Sequence, residues 1–374
     1  MNALLKHETA MAWETGVHCW KTFGPGKKML ASLFFKPNLF LINHFSLLLD
    51  QLLFSQLKDI HVERPVFITG HPRSGTTFLH RVLTQTGEFA CFEFWHTLSP
   101  SLITRYALSP VERLLRKMGK SDILVKDSGH YTSLNSIEEE EFLLMGCYNS
   151  PLSMLFTSLA FGNNDYWDIF HFEKQPVSLK NETICYLKAC FKRQIYYLER
   201  KQIIAKMPYA MLRYPSLLQA FPDAKFIYLI RSPHEVVPSY LSLIRAILDR
   251  YWKLDNLPLS IQKDVYNRVY QQSIKYYEWV ERLEKTGILN PGQFLVLPYH
   301  QLKTDLTGVL KHILEFTGIH ISDKLRNTIS EQAARQNSYH REHQNMSLED
   351  FGFSTDKMTQ DFGFVTERYR YSEK

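Results

Sequence analysis

The chain has 374 residues, of which 45% are hydrophobic and 14% aromatic, and its formal net charge is +6. That length is ample for one large α/β domain or two small ones, and a modest charge without a long basic stripe argues against a nucleic-acid binder. Five scattered cysteines (Cys19, Cys91, Cys147, Cys185 and Cys190), with no C-x-x-C spacing, point to reduced thiols in a cytoplasmic setting and away from a zinc site.

The first 60 residues lack the charged-then-apolar start and small-residue cleavage site of a secretory signal. Met29–Phe54 is rich in Leu and Phe, but Lys36, Pro37, Asn43, His44 and Asp50 interrupt it. No window reaches the roughly 18–20 apolar residues that a spanning helix needs. Two readings stand: helices packed on the main domain, or a membrane-facing surface giving peripheral contact. We take residues 1–60 as an N-terminal helical segment and 61–374 as the main domain. Without a signal peptide, the sequons at Asn181 and Asn345 are read as coincidence.

Val66–Thr69 is a short β-branched run and Thr76–Thr86 an amphipathic helix pattern. Between them lies Gly70-His71-Pro72-Arg73-Ser74-Gly75-Thr76-Thr77, a turn rich in small residues. A strand feeding such a turn into a helix aims backbone N–H groups and the positive end of the helix dipole at one point, which is an anion site. Gly70 and Gly75 keep the five-residue offset of a nucleoside-triphosphatase P-loop, G-x-x-x-x-G-K-[ST]. Thr76 stands where that lysine would be, and the cation has moved to Arg73. The turn is therefore expected to bind a phosphorylated nucleotide.

Further along, a short strand is expected near Phe89–Phe94. Glu93, flanked there by Phe92, Phe94 and Trp95, is a carboxylate whose partial desolvation would raise its pKa. Helices are expected at Pro110–Gly119 and Ile137–Met145. The latter carries Glu138-Glu139-Glu140-Glu141, of which one can face inward while the rest make a solvated helix N-terminus. Residues 150–180 carry turn signals and mixed aromatics and read as an irregular insertion or lid. A helix over Thr183–Glu199 precedes a strand at Ile203–Lys206. The apolar run Phe226–Ile230 reads as a buried strand, followed by Arg231 and by Pro233, which suits a helix's first turn; a helix is expected over His234–Ala246, with Ser239 eight residues after Arg231. A helix over Lys263–Lys285, a strand over Phe294–Leu297 leading into Tyr299, and a helix over Thr307–Thr317 complete the alternation, which implies a parallel sheet. Asp-Phe-Gly-Phe occurs at Asp350–Phe353 and at Asp361–Phe364. With no H-R-D loop beside it, this is not a kinase signature, and we read it as apolar docking points of a C-terminal helical segment.

Pro72–Thr77, the Arg231 and Ser239 pair behind Phe221–Phe226, Lys206 in Ile203–Pro208, and Tyr299 follow one another between Arg64 and about Thr317. This order resembles the family of sulfotransferases that use 3′-phosphoadenosine 5′-phosphosulfate (PAPS). The resemblance implies an α/β, P-loop NTPase-like fold with a central parallel sheet flanked by helices. It further implies PAPS as co-substrate with no metal required. Arg73, Ser74, Gly75, Thr76 and Thr77 would hold the 5′-phosphosulfate, Arg231 and Ser239 the 3′-phosphate, and Tyr299 the adenine, while Lys206 would reach the phosphosulfate bridge.

The cytosolic small-molecule branch uses a His two residues after its Lys as base, and Pro208 occupies that position here. The carbohydrate and tyrosylprotein branches use a Glu some twenty residues after the loop cation, which implies Glu93, with Glu138–Glu141 as competitor and His96 and His130 as outsiders. No R-K-G-x-x-G-D-W segment is found, and Arg335–His343 is the candidate basic flap in its place. These departures put the chain nearer the tyrosylprotein-like and bacterial-type enzymes. The expected reaction is sulfuryl transfer to a hydroxyl of a carbohydrate, lipid-linked, peptide or other small acceptor. A Mg-ATP kinase and a non-catalytic, membrane-associated nucleotide binder are the alternatives.

Overall fold

A strand buried on both faces reads as a near-continuous apolar run, and Val66–Ile68 and Phe226–Ile230 meet that demand, with Phe67, Ile68, Phe226 and Ile227 solvent-inaccessible. The computed structural model describes residues 2–119, 122–124, 132–162, 164–336 and 345–369. Strands β1 (Val66–Thr69), β2 (Asp122–Leu124), β3 (Thr132–Ser133), β4 (Ile204–Lys206), β5 (Lys225–Ile230) and β6 (Phe294–Pro298) form two sheets. One is the antiparallel pair β2–β3, and the other is a central sheet in the order β4-β1-β5-β6. β1 and β6 both run parallel to β5, with Val66 opposite Lys225 and Phe226 opposite Phe294. Helices such as Thr76–Thr84, Pro233–Trp252 and Leu259–Lys285 connect the strands, giving the expected α/β class. By contact the chain divides into two compact units. One comprises Met1–Pro65, Phe89–Ala205 and Arg213–Pro222, the other Val66–Glu88, Lys206–Leu212 and Asp223–Lys374.

In the first unit, long helices at Ala3–Phe23, Lys36–Leu53, Leu102–Lys117 and Val177–Leu198 enclose a core that includes Met11, Phe40, Tyr148, Met154 and Leu159. Residues 152–162 and 164–174 include a succession of short α and 3₁₀ turns. The helix expected from Pro110 begins instead at Leu102 and carries Pro110 inside it. Its start is set by Asp50, a fully buried carboxylate that accepts hydrogen bonds from the Leu102 and Ile103 N–H groups (2.9 and 3.0 Å), the Ser101 hydroxyl (2.9 Å) and Arg193 Nε (2.7 Å). A carboxylate at a helix N-terminus satisfies orphan donors and favours the dipole, and here it comes from half a hundred residues upstream.

The strand expected at Phe89–Phe94 is reduced to two isolated bridges, Ala90 with Ile203 and Glu93 with Ile137. Side chains have taken the backbone groups a ladder would use. The Phe92 N–H donates to Glu140 Oε1 (3.1 Å), and Gln194 Nε2 donates to the Cys91 carbonyl (2.6 Å). Among the described residues no helix is long and apolar enough to cross a membrane.

In the second unit the C-terminal segment docks through its repeated motif, as expected. Phe353 stacks on Tyr270 (centroids 4.2 Å apart, 12° between planes), and Phe362 meets the edges of Tyr270 and Tyr277. The Tyr270 hydroxyl donates to Asp361 (2.9 Å). Deleting a buried aromatic ring costs about 3–5 kcal/mol. Phe362→Ala is therefore expected to lower unfolding free energy by about that amount in a urea titration; a loss below about 1 kcal/mol would show the helix Thr355–Tyr369 to be a dispensable attachment.

Candidate functional site

The turn after β1 is forced by its neighbours. Gly70 has φ +145°, and a Cβ there would lie 2.4 Å from the Leu229 carbonyl oxygen; Gly75 has φ +97°, and a Cβ there would lie 2.6 Å from the Tyr299 ring. Only glycine fits such approaches. The Pro208 carbonyl anchors the start of the turn, accepting from the Thr69 hydroxyl (3.0 Å), the Tyr276 hydroxyl (3.0 Å) and, at longer range, the Gly70 N–H (3.4 Å). His71 is buried with its ring parallel to Tyr277 (5.3 Å, 5°), and its Nδ1–H donates to the Pro72 carbonyl (2.9 Å). Nε2 then faces the Ser273 hydroxyl at 3.0 Å. Burial pushes its pKa down to about 4, so the ring is a neutral brace.

Within this unit the sequence-predicted donor residues come together. Arg73, itself in a left-handed conformation (φ +78°), donates through Nε to Ser239 Oγ (3.0 Å), and its carbonyl accepts from Arg231 Nη1 (3.2 Å). The Arg231 guanidinium lies over the Tyr299 ring (4.3 Å to the centroid) and pairs with Glu235 (2.9 Å). Lys206, fully buried at the end of β4, donates from Nζ to Thr77 Oγ1 (3.0 Å). Thr76 opens the helix Thr76–Thr84. Tyr299, expected at a strand end, is the first residue of the helix Tyr299–Thr304, because β6 stops at Pro298.

Two polar atoms in this cluster, Ser74 Oγ and Arg231 Nε, are buried without a hydrogen-bond partner among the described residues. Such groups cost free energy unless something satisfies them. One hydroxyl and one guanidinium N–H, beside a second arginine and a helix N-terminus, fit phosphate oxygens. Glu235, Lys303 over the Tyr299 ring (5.1 Å) and the His71–Ser273 pair complete the surroundings. Lys303 is four residues from Tyr299 and Glu235 four from Arg231, a helical spacing that could have flagged both.

Glu93 belongs to the other unit. It is half-buried at the N-cap of the helix Phe94–Leu98, where its Oε2 accepts from Trp95 Nε1 (2.8 Å) and from Asn135 Nδ2 (3.4 Å). Desolvation raises its pKa, Glu112 adding to the rise while these donors and Arg116 oppose it. His96, the outsider, accepts from the Glu93 N–H through Nδ1 (3.2 Å), and burial followed by Arg105 pushes it down to about 2.

The acidic run is not the solvated helix start that the sequence suggested. Glu138, Glu140 and Glu141 are fully buried, and the helix begins only at Glu141. Glu141 pairs with the equally buried Arg213 (2.7 Å) and accepts from Ser150 Oγ (2.5 Å), Glu140 holds the Phe92 N–H, and Glu138 accepts from Ser136 Oγ (3.0 Å). Arg213 and Phe92 reach Glu141 and Glu140 from segments remote in sequence, while Ser136 is a local partner of Glu138. Residues 337–343 of the candidate flap, and His130, lie outside the described residues.

Residues 65–323 match the profile described as the sulfotransferase family. The chain belongs to that family. Relatives of this sulfotransferase-family chain include the omega-hydroxy-beta-dihydromenaquinone-9 sulfotransferases Stf3 of Mycobacterium bovis and Mycobacterium tuberculosis, each 26% identical over 266 residues. Those matches cover 70% of the chain and 64% of each relative's length, just under two-thirds. Crystal structures of the sulfotransferases STF1 from Mycobacterium tuberculosis and STF9 from Mycobacterium avium share the fold at TM-scores of 0.68 and 0.71, each at 17% identity. The superpositions cover 96% and 98% of this chain and 92% and 95% of those chains. The bacterial-type placement and the P-loop-like fold expected from Pro72–Thr77 agree with these relatives.

Two stability outcomes follow. His71 binds its proton with a pKa near 4 when folded and about 6.5 when unfolded, so the unfolded state gains a proton first as pH falls. Stability should decline between those two values, by about 3 kcal/mol, and the decline should flatten in His71→Asn when urea unfolding is compared across that range. An unchanged slope would show His71 to titrate normally. Arg213→Ala, which strands Glu141, should cost about 3–5 kcal/mol.

Proposed function

We propose that the protein transfers a sulfuryl group from PAPS to a hydroxyl of a lipid-like or other small acceptor. The observation that carries this reading is the pair of buried, unsatisfied donors at Ser74 and Arg231 inside the cluster of Arg73, Ser239, Lys206 and Tyr299, in a chain of this family. PAPS supplies an activated sulfuryl group on its 5′-phosphate. The amides of Ser74–Thr77 and the Thr76 and Thr77 hydroxyls bind that phosphosulfate. Arg73 and Lys206 neutralise charge left on the bridging oxygen as its bond to sulfur breaks and the new sulfur–oxygen bond to the acceptor forms, a role that resembles charge stabilisation in phosphoryl transfer. Arg231 forks onto the 3′-phosphate, with Ser239 as a second donor, and Tyr299 offers a face to the adenine. Glu93 takes the acceptor's proton; its raised pKa suits a general base. The acceptor class leans on Stf3, whose name specifies a hydroxylated menaquinone derivative. The reaction is proposed to need no metal, so turnover should be unchanged by EDTA.

Thermal-shift titration with 3′-phosphoadenosine 5′-phosphate tests the donor assignment. A hundredfold excess over Kd should stabilise the wild type by about 2.7 kcal/mol, with the effect lost in Arg231→Ala and Ser239→Ala; greater stabilisation by Mg-ATP would overturn the reading in favour of a kinase. Glu93→Gln should lower kcat on the order of a hundredfold or more while leaving the nucleotide shift intact. The acidic limb of the wild-type kcat profile, which appears as the base is protonated on lowering pH, should lie above the ordinary carboxylate value of about 4.3 and vanish in that variant. Near-normal turnover in Glu93→Gln would remove it from the reaction.

A further inference from the structure

A surface helix of a water-soluble domain ordinarily turns its polar stripe outward. Lys36–Leu53 does the reverse. Its buried positions are the mixed set Phe40, Ser46, Leu47 and Asp50, whereas Leu41, Phe45, Leu48 and Leu52, which follow one face at intervals of four, three and four residues, are 52–78% exposed. Phe34 and Phe35, in the turns immediately before, are about two-thirds exposed. The helix Leu102–Lys117, whose N-terminus Asp50 caps, shows the same inversion: Arg105 and Glu112 point inward while Leu108, Val111 and Leu114 are exposed.

Charge indicates what this face meets. Between Glu14 and Asp50 the chain has no Asp or Glu, but it has Lys21, Lys27, Lys28 and Lys36. The first three are exposed, while Lys36 reaches Tyr148. Trp13 and Trp20, seven residues apart on the helix Ala3–Phe23, are also exposed. An exposed apolar helix face, with exposed lysines and tryptophans in the segments that precede it, has the composition of a helix lying in a bilayer interface. A second copy seated across a two-fold axis would bring like charges together with no acid to offset them. We propose that this face docks the protein on an anionic lipid bilayer, along the surface and without crossing it. The inference stands on the exposed face and does not depend on the identity of the acceptor.

Flotation with phosphatidylcholine vesicles, with and without phosphatidylglycerol, tests it on the full chain. The wild type should float with the mixed vesicles and much less with the neutral ones. Phe34→Ser/Phe45→Ser/Leu52→Ser should lower the bound fraction on the order of tenfold or more. Lys27→Gln/Lys28→Gln should lose about fivefold per lysine on anionic vesicles only. The lysine variant alters exposed polar positions alone, so it remains informative if the triple variant fails to fold. A wild type that floats with neither vesicle, or variants that float equally well, would overturn the proposal; so would a dimer abolished by the triple variant without flotation, which would assign the face to a second copy. The nucleotide thermal shift measured on the same samples separates this outcome from that of the donor assignment, since either can fail while the other holds.

Discussion

Arg73 sits in a backbone conformation that costs a residue with a Cβ about 1–2 kcal/mol, and the arrangement of the Arg73, Arg231 and Ser239 cluster depends on it. With φ at +78°, its carbonyl meets Arg231 while its own guanidinium meets Ser239. One residue thus ties the turn after β1 to the end of β5 and to the helix that follows. Two charge-assisted hydrogen bonds, each typically stronger than a neutral one, offset the strain. The His71 brace and the Pro208 carbonyl hold the turn from the other side. A ligand therefore meets donors already in place, which lowers the ordering cost of binding.

The buried acids of the first unit illustrate how partners decide the fate of a carboxylate. Glu141 faces a guanidinium as deeply buried as itself and a hydroxyl besides, so both its oxygens are held. Glu93 accepts from an indole N–H and a distant amide at the start of its helix, with burial and the nearby Glu112 disfavouring its charge. The first is committed to the fold. The second retains a proton affinity that chemistry can use, at some expense to stability when it is ionised.

Much of this was legible because it is local. Gly70, Arg73 and Gly75 lie within six residues, so the turn could be read from their spacing, while Arg231 and Ser239, at one strand end and in the helix after it, were singled out by their resemblance to the family pattern. Buried strands β1 and β5 announce themselves as β-branched and aromatic runs. Asp50 at the start of a helix, Arg213 opposite Glu141, and Glu140 and Gln194 on the backbone at Cys91–Phe92 were not legible. Each joins segments tens of residues apart, and nothing in the spacing of either partner names the other. That is why Pro110 looked like a helix start, the acidic run like a solvated one, and Phe89–Phe94 like a strand. Tyr299 shows a milder version: its residue type was readable, but the end of β6 at Pro298 was not.

The order of the strands has a consequence for how the protein is made. β1 lies beside β5, with Val66 opposite Lys225, and the turn after β1 is closed by Tyr299. At ribosomal speeds of about 5–20 residues per second, the nascent turn waits on the order of ten to forty-five seconds for its last neighbour. β4 and β5, which flank β1, and Leu229, which crowds Gly70, are made before that interval ends, whereas the close approach that demands glycine at Gly75 does not exist until Tyr299 is made. A substitution at Gly75 would accordingly meet its steric penalty only once Tyr299 is in place, late in the assembly of the sheet, whereas one at Gly70 would meet it as soon as β5 pairs.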